Sequence, residues 1–156
     1  MKEKILEAFR ELGFKLEEEE GMGYCFNYEG LNLLYMYNEN DEEFLNIALP
    51  GIVDVEEDKM LQICALLEKI NSTLKYIKAY MLGNSVWLFY ERELFGEEDL
   101  MTVISRMILH LEAGLSFARK AMAEIEETMT NDSSDDATAE SAEEIDAEEI
   151  TDDDNE

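Results

Sequence analysis

"KYIKAYMLGNSVWLFYERELF", Lys75 to Phe95, reads as two strands joined by a tight turn at Gly83-Asn84. Ile77, Ala79 and Met81 alternate with Tyr76, Lys78 and Tyr80 in the first strand. In the second, Val86, Leu88 and Tyr90 alternate with Trp87 and Phe89. The returning strand is apolar on both faces, so it belongs inside a sheet, with one face toward helices and the other under a partner or a covering segment. Trp87 is the only tryptophan of the chain. Packed sheet residue is its expected role; display on a ligand-binding face is the alternative.

Upstream, "YCFNYE" and "LNLLYMYN" flank Gly30 and read as a hairpin. "EFLNIAL" is a third strand, ended by Pro50-Gly51. Leu31, Leu33, Tyr35 and Tyr37 share one face of the second of these strands, and Leu45, Ile47 and Leu49 one face of the third. The opposite face is mixed, with Asn32, Leu34, Met36 and Asn38. One side of the sheet is therefore expected to lie on helices and the other to be partly wet.

Helices punctuate these strands. Ile5, Leu6, Phe9 and Leu12 have helical spacing, with Gly13 as a C-cap. The charged run Glu17 to Glu20 is a connection. A second helix carries Met60, Ile63, Cys64, Leu67 and Ile70 on one stripe and ends near "INSTL". A third runs from about Glu97 to about Met129, with Gly114 its only breaker. In it Ile104, Ile108, Leu111, Leu115, Ala118, Met122, Ile125 and Met129 recur as a heptad seam. Some 30 residues at 1.5 Å each make about 45–50 Å, longer than a domain of this size. The C-terminal half is expected to overhang, and its seam, from Ile108, Leu111 and Leu115 to Ala118, Met122 and Ile125, to be covered by a second copy of the chain.

Composition bounds the function. The 156 residues include 39 acidic and 12 basic ones, a formal charge of -27, which disfavours nucleic acid as a ligand. After Thr130 the character changes. Thirteen of the 39 acidic residues fall in 131–156, where there is no basic or aromatic residue, leaving 26 acidic against all 12 basic residues in 1–130. The expected organisation is one folded domain, 1–130, and a disordered acidic tail, 131–156. Cys25 and Cys64 read as free thiols of a reducing compartment. The amphipathic opening "MKEKILEAFRELGF" is no signal peptide, and uninterrupted apolar runs are short, so a cytoplasmic chain with no membrane span is expected.

No motif carries chemistry. His110 is the only histidine and lies on an apolar helical face, so no Ser-His-Asp, Cys-His or His-rich metal arrangement can be built. There is no GxGxxG and no phosphate-binding loop, and the basic residues form no stripe interleaved with aromatics. No catalytic, cofactor-binding or metal-binding residue is assigned.

The order helix, three strands, helix, two strands, helix joins "INSTLKYIKAYMLGNSVWLFYEREL" to "LMTVISRMILHLEAGLSFARKAM". Asn71 at the end of the second helix, the strand from Lys75 with its Gly83-Asn84 turn, the strand holding Trp87 and the helix after "FGEEDL" resemble the YbjN family of bacterial proteins labelled sensory transduction regulators. The family has the fold of the type III secretion chaperones, the Tir-chaperone class. The resemblance covers about residues 1–125. It implies an α+β fold of order α-β-β-β-α-β-β-α, with an antiparallel sheet, helices mainly on one face, no enzymatic activity, no cofactor and a habit of dimerising. It also implies a client segment held on apolar patches, here Leu34, Met36, Trp87 and Phe89. The leading expectation is a non-catalytic, dimeric protein-binding regulator or chaperone-like module. An acidic decoy that mimics nucleic acid before a basic protein is the alternative, and a carboxylate-based enzyme the third reading.

Overall fold

In the computed structural model the hairpin that decides the fold closes as read. The structure describes residues 1–143, and side chains over residues 1–132. The elements are α1 (Lys2–Glu11), β1 (Glu17–Glu19), β2 (Gly23–Tyr28), β3 (Leu31–Met36), β4 (Phe44–Asp54), α2 (Met60–Thr73), β5 (Ile77–Leu82), β6 (Ser85–Glu93) and α3 (Leu100–Glu143). Six strands form one sheet in the order β1-β2-β3-β4-β6-β5, with every neighbouring pair antiparallel. The fold class is the expected α+β with a long C-terminal helix.

The alternation sets the two sides of the sheet. Leu33, Tyr35, Leu45, Ile47, Leu49, Val86 and Leu88 enter one continuous core with Ile5 and Phe9 of α1, Ile63, Leu66 and Ile70 of α2, and Ile104, Ile108 and Leu111 of α3. All three helices thus cover one face. Gly114 is no breaker. A Cβ there would sit 3.4 Å from Leu88 Cδ1 and 3.7 Å from Ile77 Cγ1, ordinary contact distances, so α3 runs on through it against β5 and β6.

Several expectations are corrected. Glu17–Glu19 is a strand, paired with β2 through Glu17↔Cys25 to Glu19↔Gly23, because edge pairing needs backbone groups and no burial. β4 does not stop at Pro50-Gly51; it bulges there, Gly51 taking φ 63°, and resumes at Val53↔Val86. Tyr76 leaves the alternation of its strand. At φ 68° it turns to stack on Tyr90, ring centroids 5.5 Å apart.

The helix seam is corrected too. Ile108, Leu111, Leu115 and Ala118 are buried within the single chain, while Met122 and Ile125 are half-buried against the same core. Ile108, Leu111, Leu115 and Ala118 are thus taken up by the chain's own core and do not overhang it. The reason is α2, which lies alongside α3 and widens the layer beyond the sheet; Lys69 of α2 reaches Glu124 at 3.1 Å. α3 continues past Thr130 to Glu143, and the last part of the acidic segment, 144–156, lies outside the described residues. Leu100–Asp132 is also long and apolar enough, by length and composition, to cross a membrane. That corrects the expectation that no helix qualifies, although much of its apolar side packs on the sheet and α2.

Candidate protein-binding face

The side of the sheet away from the helices carries its own apolar cluster. Leu34, Ala48 and Phe89 are buried there, with Cys25, Met36 and Trp87 packed around them. Register explains the gathering. Cys25↔Leu34, Leu34↔Ala48 and Ala48↔Phe89 form one row across four strands, and Met36↔Asn46 with Asn46↔Glu91 forms the next. Ala48 is small, so the larger Leu34 and Phe89 close over it. Among the described residues no helix packs on this cluster.

The structure therefore brings together all four residues expected to hold a client, in two roles. Leu34 and Phe89 are buried floor; Met36 and Trp87 are half-buried. Trp87 is neither in the helix-side core nor fully displayed. Its indole lies 5.9 Å from Phe89, nearly parallel, and its Nε1–H donates to Ser85 Oγ at 3.0 Å. Tyr80, the cross-strand partner of Trp87, also stacks on Phe89, at 4.1 Å. Sequence reasoning missed Tyr80, Phe44 and Leu82, which are exposed at 42%, 43% and 40%. Period-2 alternation from Trp87 and its partner strands could have found them.

A polar set interrupts the apolar row. Asn46 Nδ2 donates to Glu91 Oε1 at 2.9 Å, and Lys78 Nζ is bonded to Glu91 Oε2. The Glu91 carboxylate, through that hydrogen bond, holds the Lys78 ammonium above its ordinary range. Asn46 Oδ1 is buried and accepts no hydrogen bond. An acceptor in that state costs the fold about 1–3 kcal/mol of unrecovered hydration. Beside it opens a groove of about 360 Å³, lined by Met22, Met36, Asp41, Phe44, Asn46 and Glu91 among others.

Elsewhere the polar groups serve the fold. His110 Nδ1 donates to Arg106 O at 2.7 Å, and its ring meets Tyr76 and Tyr90 edge-on. Among the described residues no three His, Cys, Asp or Glu side chains form a group able to hold a metal ion. Cys25 and Cys64 are free; burial pushes the Cys25 thiol up, away from the thiolate a nucleophile needs.

A six-stranded antiparallel sheet with helices on one side and an apolar cluster on the other defines an α+β protein with a face open for contact. No family model matches the chain, and no curated protein matches it. Solved structures do. The crystal structure of YbjN from E. coli, a candidate transcription regulator, superposes with a TM-score of 0.57 at 13% identity, over 74% of this chain and 86% of that one. An uncharacterized protein from Methanothermobacter thermautotrophicus superposes with a TM-score of 0.50 at 18% identity, over 81% and 97%. The fold is YbjN-like.

Proposed function

We propose that the chain is a non-catalytic, protein-binding regulator or chaperone-like module that holds a partner's segment on the outer face of its sheet. The observation that carries this is the second apolar cluster. Its floor, Leu34, Ala48 and Phe89, is buried, and its rim, Tyr80, Leu82 and Phe44, is exposed on a face where, among the described residues, no helix packs. A sheet face solvated in the ordinary way alternates to polar side chains; this one does so only in part. Of the polar groups that converge here, Asn46 and Lys78 are each bonded to Glu91. The regulator named for the E. coli structure and the secretion-chaperone resemblance are consistent with this reading.

The charge of -27 favours one competing reading, an acidic decoy for a basic protein. One experiment separates the two. Partners captured by the full chain are compared with those captured by Tyr80→Ser/Phe44→Ser and by a chain lacking 131–156. Loss with the face variant and retention without the tail supports the sheet face. The reverse pattern supports the decoy.

A further inference from the structure

We propose that the groove beside Asn46 is a subsite for a lysine or arginine side chain of the bound segment. This rests on the protein-binding reading above and gives the partner's chemistry. The groove offers acceptors. Asn46 has already given a donor hydrogen to Glu91, which leaves its Oδ1 without a partner. Asp41 and Glu91 add carboxylates to the lining. Lys78 is bonded to Glu91 from the β5 side, and Lys2 lies over the ring of Tyr37, 4.5 Å from its centroid. The lining also holds Tyr37 and Asn38, but its charged groups are the carboxylates of Asp41 and Glu91, which favour a cationic donor, and among side chains lysine and arginine answer that description.

The rest of the lining fits the stem of such a side chain. Met22 and Phe44 are exposed at 41% and 43%, and Met36 is half-buried. Apolar walls below a polar end match a methylene chain carrying a charged head. Asn46 Oδ1 is buried, and the unbranched Met22 and Met36 of the lining are the side chains best able to shift for a ligand. By alternation Glu93 lies on this face beside Phe44, its cross-strand partner, and extends the acidic margin. A partner segment with a basic residue between apolar ones thus meets complementary charge in the groove and the Trp87–Tyr80 cluster next to it.

The test uses the full chain and a labelled, capped peptide Leu-Arg-Phe-Arg-Leu, read by fluorescence anisotropy. The comparison peptide replaces arginine by citrulline, which keeps the shape and removes the charge. The expected result is about tenfold weaker binding of the citrulline peptide, and a similar loss with Asp41→Asn and with Asn46→Leu. Leu61→Ser, on the exposed side of α2, should leave binding unchanged. Asp41→Asn lies in an exposed turn and keeps the test valid where Asn46→Leu unfolds. Equal binding of both peptides, or binding indifferent to Asp41→Asn, overturns the subsite. Competition by spermidine or free arginine as effective as by the peptide overturns it as well, since it would mark unspecific cation attraction. If the peptides bind equally and Tyr80→Ser/Phe44→Ser abolishes binding, the subsite fails and the protein-binding face stands. If the face variant changes neither peptide binding nor native capture, both fail.

Discussion

The side-chain amide of Asn71 closes two hydrogen bonds on the backbone of Ala79. Nδ2 donates to the Ala79 carbonyl and Oδ1 accepts from the Ala79 N–H, both at 2.8 Å. Ala79 lies on β5, an edge strand of the sheet. An amide offering one donor and one acceptor imitates a rung of the next strand, so the last turn of α2 stands where that strand would be. The opposite edge, β1, is three exposed glutamates in a row. One edge is capped and the other charged, both known ways to discourage strand addition.

Asn71→Ala should cost about 1–3 kcal/mol, because it strands two half-buried backbone groups. Urea unfolding measures it. Freed of its cap, β5 should also associate, seen as concentration-dependent mass in light scattering. A variant as stable as the parent and of unchanged mass would remove the capping role.

Gly23→Ala should destabilise far more than Gly21→Ala, though both positions have positive φ, 144° and 78°. A Cβ at Gly23 would fall 2.0 Å from the Tyr35 carbonyl oxygen, whereas none of the structure lies within 4 Å of one at Gly21. We expect more than about 3 kcal/mol at Gly23 and about 1 kcal/mol at Gly21. Thermal melting of the two variants decides it.

Phe89→Ala and Trp87→Ala should separate floor from rim. Phe89 is fully buried, and its loss should cost about 3–5 kcal/mol; half-buried Trp87 should cost less than that, about 1–2 kcal/mol. Trp87 emission should be intermediate between dry and aqueous, with measurable acrylamide quenching, and should shift blue when the Leu-Arg-Phe-Arg-Leu peptide binds. Emission of a dry interior that no peptide shifts would return Trp87 to a purely structural role.

Glu98 should make stability fall in acid. Its carboxylate accepts from the backbone N–H of Phe95 at 2.8 Å and of Gly96 at 2.9 Å, and lies 3.4 Å from Arg92. The Phe95 bond above all holds it below the usual carboxylate range. A depressed folded value contributes stability that is present above the unfolded value, about 4.3, and lost as pH falls through the folded one. Glu98→Gln should therefore weaken the protein at neutral pH and flatten its decline between about pH 5 and 3. Urea midpoints across that range check it. Parallel profiles for parent and variant would contradict it.

Leu111→Ala should act on folding and not on self-association. Leu111 is completely enclosed within one chain, so its loss should cost about 2–5 kcal/mol at any protein concentration. Sedimentation of the parent and variant at several concentrations reads this. A dimer dissociated by the substitution would restore the seam to an interface.

The periodicities determined much by themselves. Alternation in Lys75 to Phe95 and Leu31 to Tyr37 placed the hairpins and chose the side facing the helices, since a one-residue shift would have turned every apolar side chain outward. Asn71 was visible as a landmark of resemblance, but its purpose was not. Only the tertiary structure set α2 against the edge of β5 and so aimed the amide at Ala79. The same placement decided the fate of the heptad seam. A repeat of apolar residues states that a helix must be covered and not by what, and here the cover is the chain's own sheet and second helix. The outer face follows the same rule. Leu34, Ala48, Phe89 and Asn46 sit on three strands far apart in the chain, and only register, fixed by pairing across the sheet, makes them neighbours and leaves one amide oxygen without a donor.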